Sequence, residues 1–177
     1  TSQRWDDFTA LFGGSAVTNG CWCMFWRIPR KQFQNNGSAG NRTAMQALVD
    51  AGEIPGVLAY LDGQPVAWCS LGPRESYGAL ERSRVLTRVD EQPVWSLVCF
   101  FVAKGHRHQG LMLPLLRGAL EYARAQGARL VEAYPIEHTT FDVAGSYMGR
   151  ITTLEQAGFT IVAAPNARRR IMRCELQ

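Results

Sequence analysis

Apolar positions along the chain fall in short blocks, set apart by glycine, proline and polar clusters, and the spacing within the blocks switches between period two and helical period. Gly20 leads into Cys21-Trp22-Cys23-Met24-Phe25-Trp26-Arg27-Ile28, whose aromatic bulk predicts a first strand closed by Pro29. The polar stretch from Gln34 to Asn41 reads as a loop. Met45, Leu48 and Val49 then fall at helical spacing in a helix from Arg42 to Ala51, stopped by Gly52. Val57–Leu61 and Pro65–Leu71 flank Asp62-Gly63, the dipeptide of a tight hairpin. The connector through Arg74, Tyr77 and Glu81-Arg82-Ser83-Arg84 to Pro93 is assigned no element from the sequence. Val94 to Val102 is the longest apolar run and carries no charge, as a central strand covered on both faces would.

After that strand comes Ala103-Lys104-Gly105-His106-Arg107-His108-Gln109-Gly110, and then a helix with Met112, Leu115, Leu116, Ala119, Leu120 and Ala123 on one face. Pro114 is compatible with its first turn, where amides have no intrahelical partner to lose, and Gly127 supplies the stop. A strand from Arg129 to Pro135 returns parallel by the usual crossover. Tyr147 to Ala157 reads as a helix ended by Gly158, and Phe159–Ala163 and Arg170–Cys174 read as closing strands. The order is mixed α/β with one central βαβ unit.

With 177 residues, 46% hydrophobic and 19% charged, the chain suits one domain with its own core, 1–56 forming N-terminal helices and first strand and 57–174 the main body. A formal charge of +4 suits an anionic ligand, and without a stacking motif or long basic run it argues against nucleic acid. The cysteines at 21, 23, 69, 99 and 174 are odd in number and lie mostly in apolar runs, as buried thiols would. No run approaches the roughly 20 apolar residues that cross a bilayer, so no membrane partner is expected, and a reducing cytoplasm is. Neither His106-x-His108 nor Cys21-x-Cys23 brings the three or four converging ligands that a metal needs.

The informative chemistry is a strand feeding a short glycine and basic loop that opens directly into a helix, from Phe101 to Met112. Free amides at a helix start, with the positive end of the dipole behind them, make an anion site. A nucleotide P-loop is disfavoured because Leu111-Met112 stand where Lys and Ser or Thr are needed, and a dehydrogenase because the dinucleotide fingerprint is absent. The segment Arg107-x-x-Gly110-x-Met112 resembles the signature of the GNAT superfamily of acetyl-CoA-dependent N-acetyltransferases, Gln or Arg, x, x, Gly, x, Gly or Ala. Met112 departs from it. The hairpin, the crossover helix, the strand around Glu132 and Leu154-Glu155-Gln156-Ala157-Gly158-Phe159 fit the same pattern, so the resemblance spans about Val57 to Cys174.

That resemblance implies a mixed, mostly antiparallel sheet with a splayed parallel strand pair, flanked by helices. It implies that acetyl-CoA lies in the splay, its pantetheine on strand amides near Phe101 and Val102 and its pyrophosphate on Arg107, His108, Gln109, Gly110, Leu111 and Met112, with no metal. The acceptor would be an amine of a small molecule or protein. The tyrosine that many members use as acid is replaced by Leu154. Tyr147, seven residues earlier, is the candidate acid or cofactor contact, and Glu132 the candidate base, with Glu137 and His138 as alternatives. The competing expectation is a CoA-binding module without catalysis, motivated by Leu154 and Met112. The arginines from 168 to 173 read as a solvated run.

Overall fold

The computed structural model describes residues 1–137 and 146–176. Among them, six strands form one sheet in the order β1-β2-β3-β4-β6-β5, with β3 and β4 parallel and every other pair antiparallel. The strands are β1 (Gly56–Leu61), β2 (Gln64–Pro73), β3 (Trp95–Val102), β4 (Leu130–Ala133), β5 (Thr160–Ala163) and β6 (Ile171–Glu175). The expected mixed sheet is therefore present. Its first hairpin turns through Asp62 (φ 49°) and Gly63 (φ 76°), the two left-handed residues that match the twist of the paired strands.

Side-chain alternation sends β2 to two cores. Ala67, Cys69 and Leu71 meet helix α5 (Met112–Ala125) on one face, and Trp68 meets the N-terminal helices on the other. The helix buries Leu115, Leu116, Ala119, Leu120 and Ala123, as its spacing predicts. It ends where the Gly127 and Ala128 amides cap the Arg124 and Ala123 carbonyls, with Gly127 left-handed. No helix of the described residues is long and apolar enough to cross a membrane.

The N-terminal third departs from the expected pattern. Helices α1 (Trp5–Gly13) and α2 (Ala16–Cys21) lead into a run of turns from 22 to 28, where a first strand was expected. The bonds there are local, Trp22 amide to Thr18 carbonyl and Met24 amide to Cys21 carbonyl, and Trp22 and Cys23 are left-handed. The aromatic residues that suggested a strand are satisfied by core packing instead, Trp22, Cys23 and Met24 lying buried against Phe8, Phe12 and Trp68.

The expected loop from Gln34 to Asn41 is also helical, inside α3 (Arg30–Asp50), which breaks only at Gly37. Tertiary bonds override the weak local propensity here. The buried Asn41 amide donates to the Gly20 carbonyl at 3.0 Å, and Ser38 accepts from the Trp22 indole at 3.1 Å. The helix expected over Tyr147–Ala157 is two pieces, a 3₁₀ turn at Ser146–Met148 and α6 (Ile151–Gln156), parted by Gly149 at φ 94°. A short α4 (Gly78–Glu81) occupies part of the connector after β2.

Candidate active site

The site begins with a fault in β3. Ser70 of β2 pairs with Cys99 and Leu71 with Leu97, so Val98 is an extra residue, a bulge. Leu97 and Phe100 face α5, whereas Val98 and Cys99 both pack on the opposite side of the sheet. β4 pairs with β3 only at Trp95, Ser96 and Leu97, stopping just before the bulge. From Val98 to Val102 no described strand pairs with that edge of β3, so the two parallel strands part beyond Leu97.

At the far end of this edge lies the basic loop. Lys104–His106 makes a single 3₁₀ turn, Arg107 is extended, and His108 (φ 61°) and Gly110 (φ 75°) are both left-handed. His108 holds a conformation that costs a non-glycine residue about 1 kcal/mol or more. Arg107 Nε donates to the Val102 carbonyl at 3.0 Å, tying the loop to the end of β3. No side chain caps α5, which leaves the amides of its first turn open, and a Cβ on Gly110 would meet nothing within 4 Å. Lys104 and Arg107 also line a cavity of about 520 Å³ that reaches the end of α1 at Gly14 and Ser15. The end of β3, the start of α5 and two cations thus lie within one short stretch of chain.

Tyr147 and Glu132 stand apart in character. Tyr147 rides on the 3₁₀ turn, half-buried against the cluster that contains Val98 and Met148, so it shares no helix face with Leu154. Burial raises its hydroxyl above the ordinary tyrosine range, offset in part by the Arg169 guanidinium, with Cys99 and Trp26 nearby. The Trp26 indole N–H is buried beside it, lowers its pKa slightly, and makes no fully formed hydrogen bond among the described residues. Cys99 stays a thiol, pushed well up, while its S–H pulls Cys23 down to about 7 against burial, helped by the Trp68 indole at 3.3 Å.

Glu132, 1% exposed, is committed on both oxygens. Oε1 accepts from Arg173 Nε at 2.9 Å, and Oε2 accepts from Arg74 Nη1 at 3.2 Å and the Tyr134 hydroxyl at 2.8 Å. The hydroxyls of Ser96 and Tyr134 lie 2.6 Å apart at the same place. Arg74, also 1% exposed, reaches on to Glu81 and the Leu86 carbonyl, both at 2.6 Å. Glu137 pairs with Arg170 on the rim, and His138 lies outside the described residues. Leu154 is buried under α5 rather than in the gap.

The description "Acetyltransferase (GNAT) family" belongs to the profile that matches residues 22–144. The chain belongs to that family. Solved structures agree in fold. A GNAT-family protein from Desulfovibrio desulfuricans superposes at TM-score 0.57 with 18% identity, over 98% of this chain and 92% of that one. The ribosomal-protein-alanine N-acetyltransferase of Brucella melitensis gives 0.54 and 18%, over 99% and 96%. The PaiA N-acetyltransferase of Thermoplasma acidophilum, solved in complex with coenzyme A, gives 0.53 and 10%, over 99% and 95%. No curated protein sequence matches the chain.

Within this GNAT frame, the loop after β3 and the end of that strand are where the sequence placed them, whereas the bulge is not announced by an unbroken apolar run. The sequence also gave no inward-facing place to Arg169, whose only signal was one arginine among three.

Proposed function

We propose that this protein transfers the acetyl group of acetyl-CoA to an amine by direct attack. One observation carries the reading: β4, the parallel partner of β3, ends at Ala133 opposite Leu97, and β3 continues without it to a basic loop and a helix start with no side-chain cap. The pantetheine would run beside the strand end at Phe101 and Val102, where Arg107 Nε already holds the Val102 carbonyl, and the segment Arg107, His108, Gln109, Gly110, Leu111 and Met112 would hold the pyrophosphate through amides and the rest of the guanidinium. Acetyl-CoA supplies an activated carbonyl: the amine lone pair forms the C–N bond, the C–S bond breaks, and the sulfur takes a proton. No metal enters this reading.

Tyr147 is our candidate for the proton donor, because burial keeps its hydroxyl protonated beyond neutral pH. Glu132 was the sequence-based candidate for base, but with both oxygens held by two arginines and a tyrosine we assign it to anchoring β4 against β6 and the connector. The amine proton then leaves to water. The acceptor is a small-molecule or protein amine, and the free state of all five cysteines supports a cytoplasmic location.

The test is calorimetric titration with acetyl-CoA followed by thiol release across an amine panel. Saturable binding with product formation is expected. Binding without release from any amine would favour the silent CoA-binding module, for which the buried Leu154 speaks.

A further inference from the structure

The run Arg168-Arg169-Arg170 is not one solvated patch. Arg168 is exposed, with its amide bonded to Asn166 Oδ1, and Arg170 pairs with Glu137. Arg169 turns inward and is half-buried. Its Nη1 donates to the Tyr134 carbonyl at 2.7 Å, at the end of β4, and to Met148 Sδ at 3.2 Å, beside Tyr147. Two anchors on one nitrogen fix the guanidinium between the end of β4 and the turn that carries Tyr147.

No carboxylate pairs with Arg169 among the described residues, whereas Arg74, Arg88, Arg170 and Arg173 each hold at least one. A half-buried guanidinium is best satisfied by an anion, and here Nε and Nη2 make no bond among the described residues and are left open to one. Burial depresses its pKa, as desolvation of a cation does. Arg27 is the other buried arginine without a carboxylate, but it stacks on Tyr77 at 4.6 Å and donates to Pro55 and Tyr77, sealed within the fold. Arg169 instead stands beside Tyr147, on the same side of the sheet as Cys99. An Nε and Nη2 pair is the fork that a carboxylate accepts through both oxygens.

We infer that Arg169 binds a carboxylate of the acceptor, so that the acceptor is a small amino acid-type molecule carrying the reactive amine and a carboxylate together. The inference rests on the acetyl-transfer reading and deepens it. Arg169 is a specificity residue and takes no part in the chemical step.

Matched pairs decide it. Amino acids and their carboxamides, which keep the amine and lose the negative charge, are compared by thiol release from acetyl-CoA and by calorimetric binding to the protein already saturated with CoA. The wild type should favour the acid of its preferred pair by at least tenfold in kcat/KM. Arg169→Met should raise KM for the acid until that preference disappears, and Arg169→Lys, which keeps the charge without the fork, should retain part of it. Equal use of acids and amides by the wild type would overturn the inference and leave acetyl transfer standing. If no amine is acetylated, the transfer reading falls, and the binding arm still decides: acid binding that Arg169→Met removes supports the carboxylate site, and binding indifferent to the carboxylate or to the substitution refutes it.

Discussion

Replacing Glu132 with Gln would leave Arg74 and Arg173 sharing no charge at β4, at a position 1% exposed to solvent. Removing one partner of a buried ion pair costs about 3–5 kcal/mol, so Glu132→Gln should lower the urea midpoint sharply while the folded fraction keeps near-normal turnover. A stable Glu132→Gln protein with turnover reduced a hundredfold would restore Glu132 as the base. Tyr147 has the opposite expectation. Only its hydroxyl is lost in Tyr147→Phe, so acetyl-CoA affinity should hold while kcat falls by about 10²-fold, the contribution of a positioned proton donor. Unchanged kcat would reduce Tyr147 to a packing residue. Both side chains were legible in the sequence as polar residues near the gap. Their roles were not, because a one-dimensional pattern shows that Glu132 lies on a strand but not that Arg74, 58 residues away, reaches it.

At the scale of elements, legibility followed how local the cause was. The β1–β2 hairpin and α5 were readable because a two-residue turn and a helical apolar face are written within a few positions. The turns from 22 to 28 and helix α3 were not, since Trp22 and Asn41 are placed by what they touch across the fold. The split between the Tyr147 turn and α6 hangs on Gly149, where a Cβ would come within 3.1 Å of the Phe100 ring. The cofactor loop rests on a comparable constraint. Gly110 at φ 75° faces open space, so Gly110→Val strains backbone rather than packing. The expected outcome is a loss of acetyl-CoA affinity of tenfold or more by calorimetry, as the loop amides swing out of register, with a modest change in melting temperature. Unaltered affinity would remove the loop from cofactor binding.

Across the whole molecule, one charged network joins elements distant in sequence. It runs from Glu75 through Arg88, Glu81 and Arg74 to Glu132, then through Arg173 to Asp90, tying the connector after β2 to β4 and β6. The connector is therefore held by charge as well as by Tyr77, Leu80 and Leu86, which are buried in the core cluster with Val98 and Tyr134. Arg173 bonds Asp90 through both nitrogens, at 2.6 and 2.9 Å, and holds its carboxyl well below the ordinary range. Arg88 lowers Glu75, and at Glu81 burial pushes upward but Arg88 and Arg74 outweigh it. A carboxyl with a depressed folded pKa binds fewer protons than its unfolded counterpart, so its contribution is complete above the unfolded value and disappears as pH falls toward the folded one. The urea midpoint should therefore hold from neutrality down to about pH 5 and fall steeply below about pH 4, where unfolded carboxyls take up protons. Asp90→Asn removes one such group, so its midpoint should start lower at neutral pH and fall less steeply on acidification. Parallel acid profiles for wild type and variant would mean that the Asp90 bridge does not hold the connector. Because Arg173 also bears on Glu132, loosening that bridge should be felt at β4, on the far border of the gap that the bulge in β3 opens.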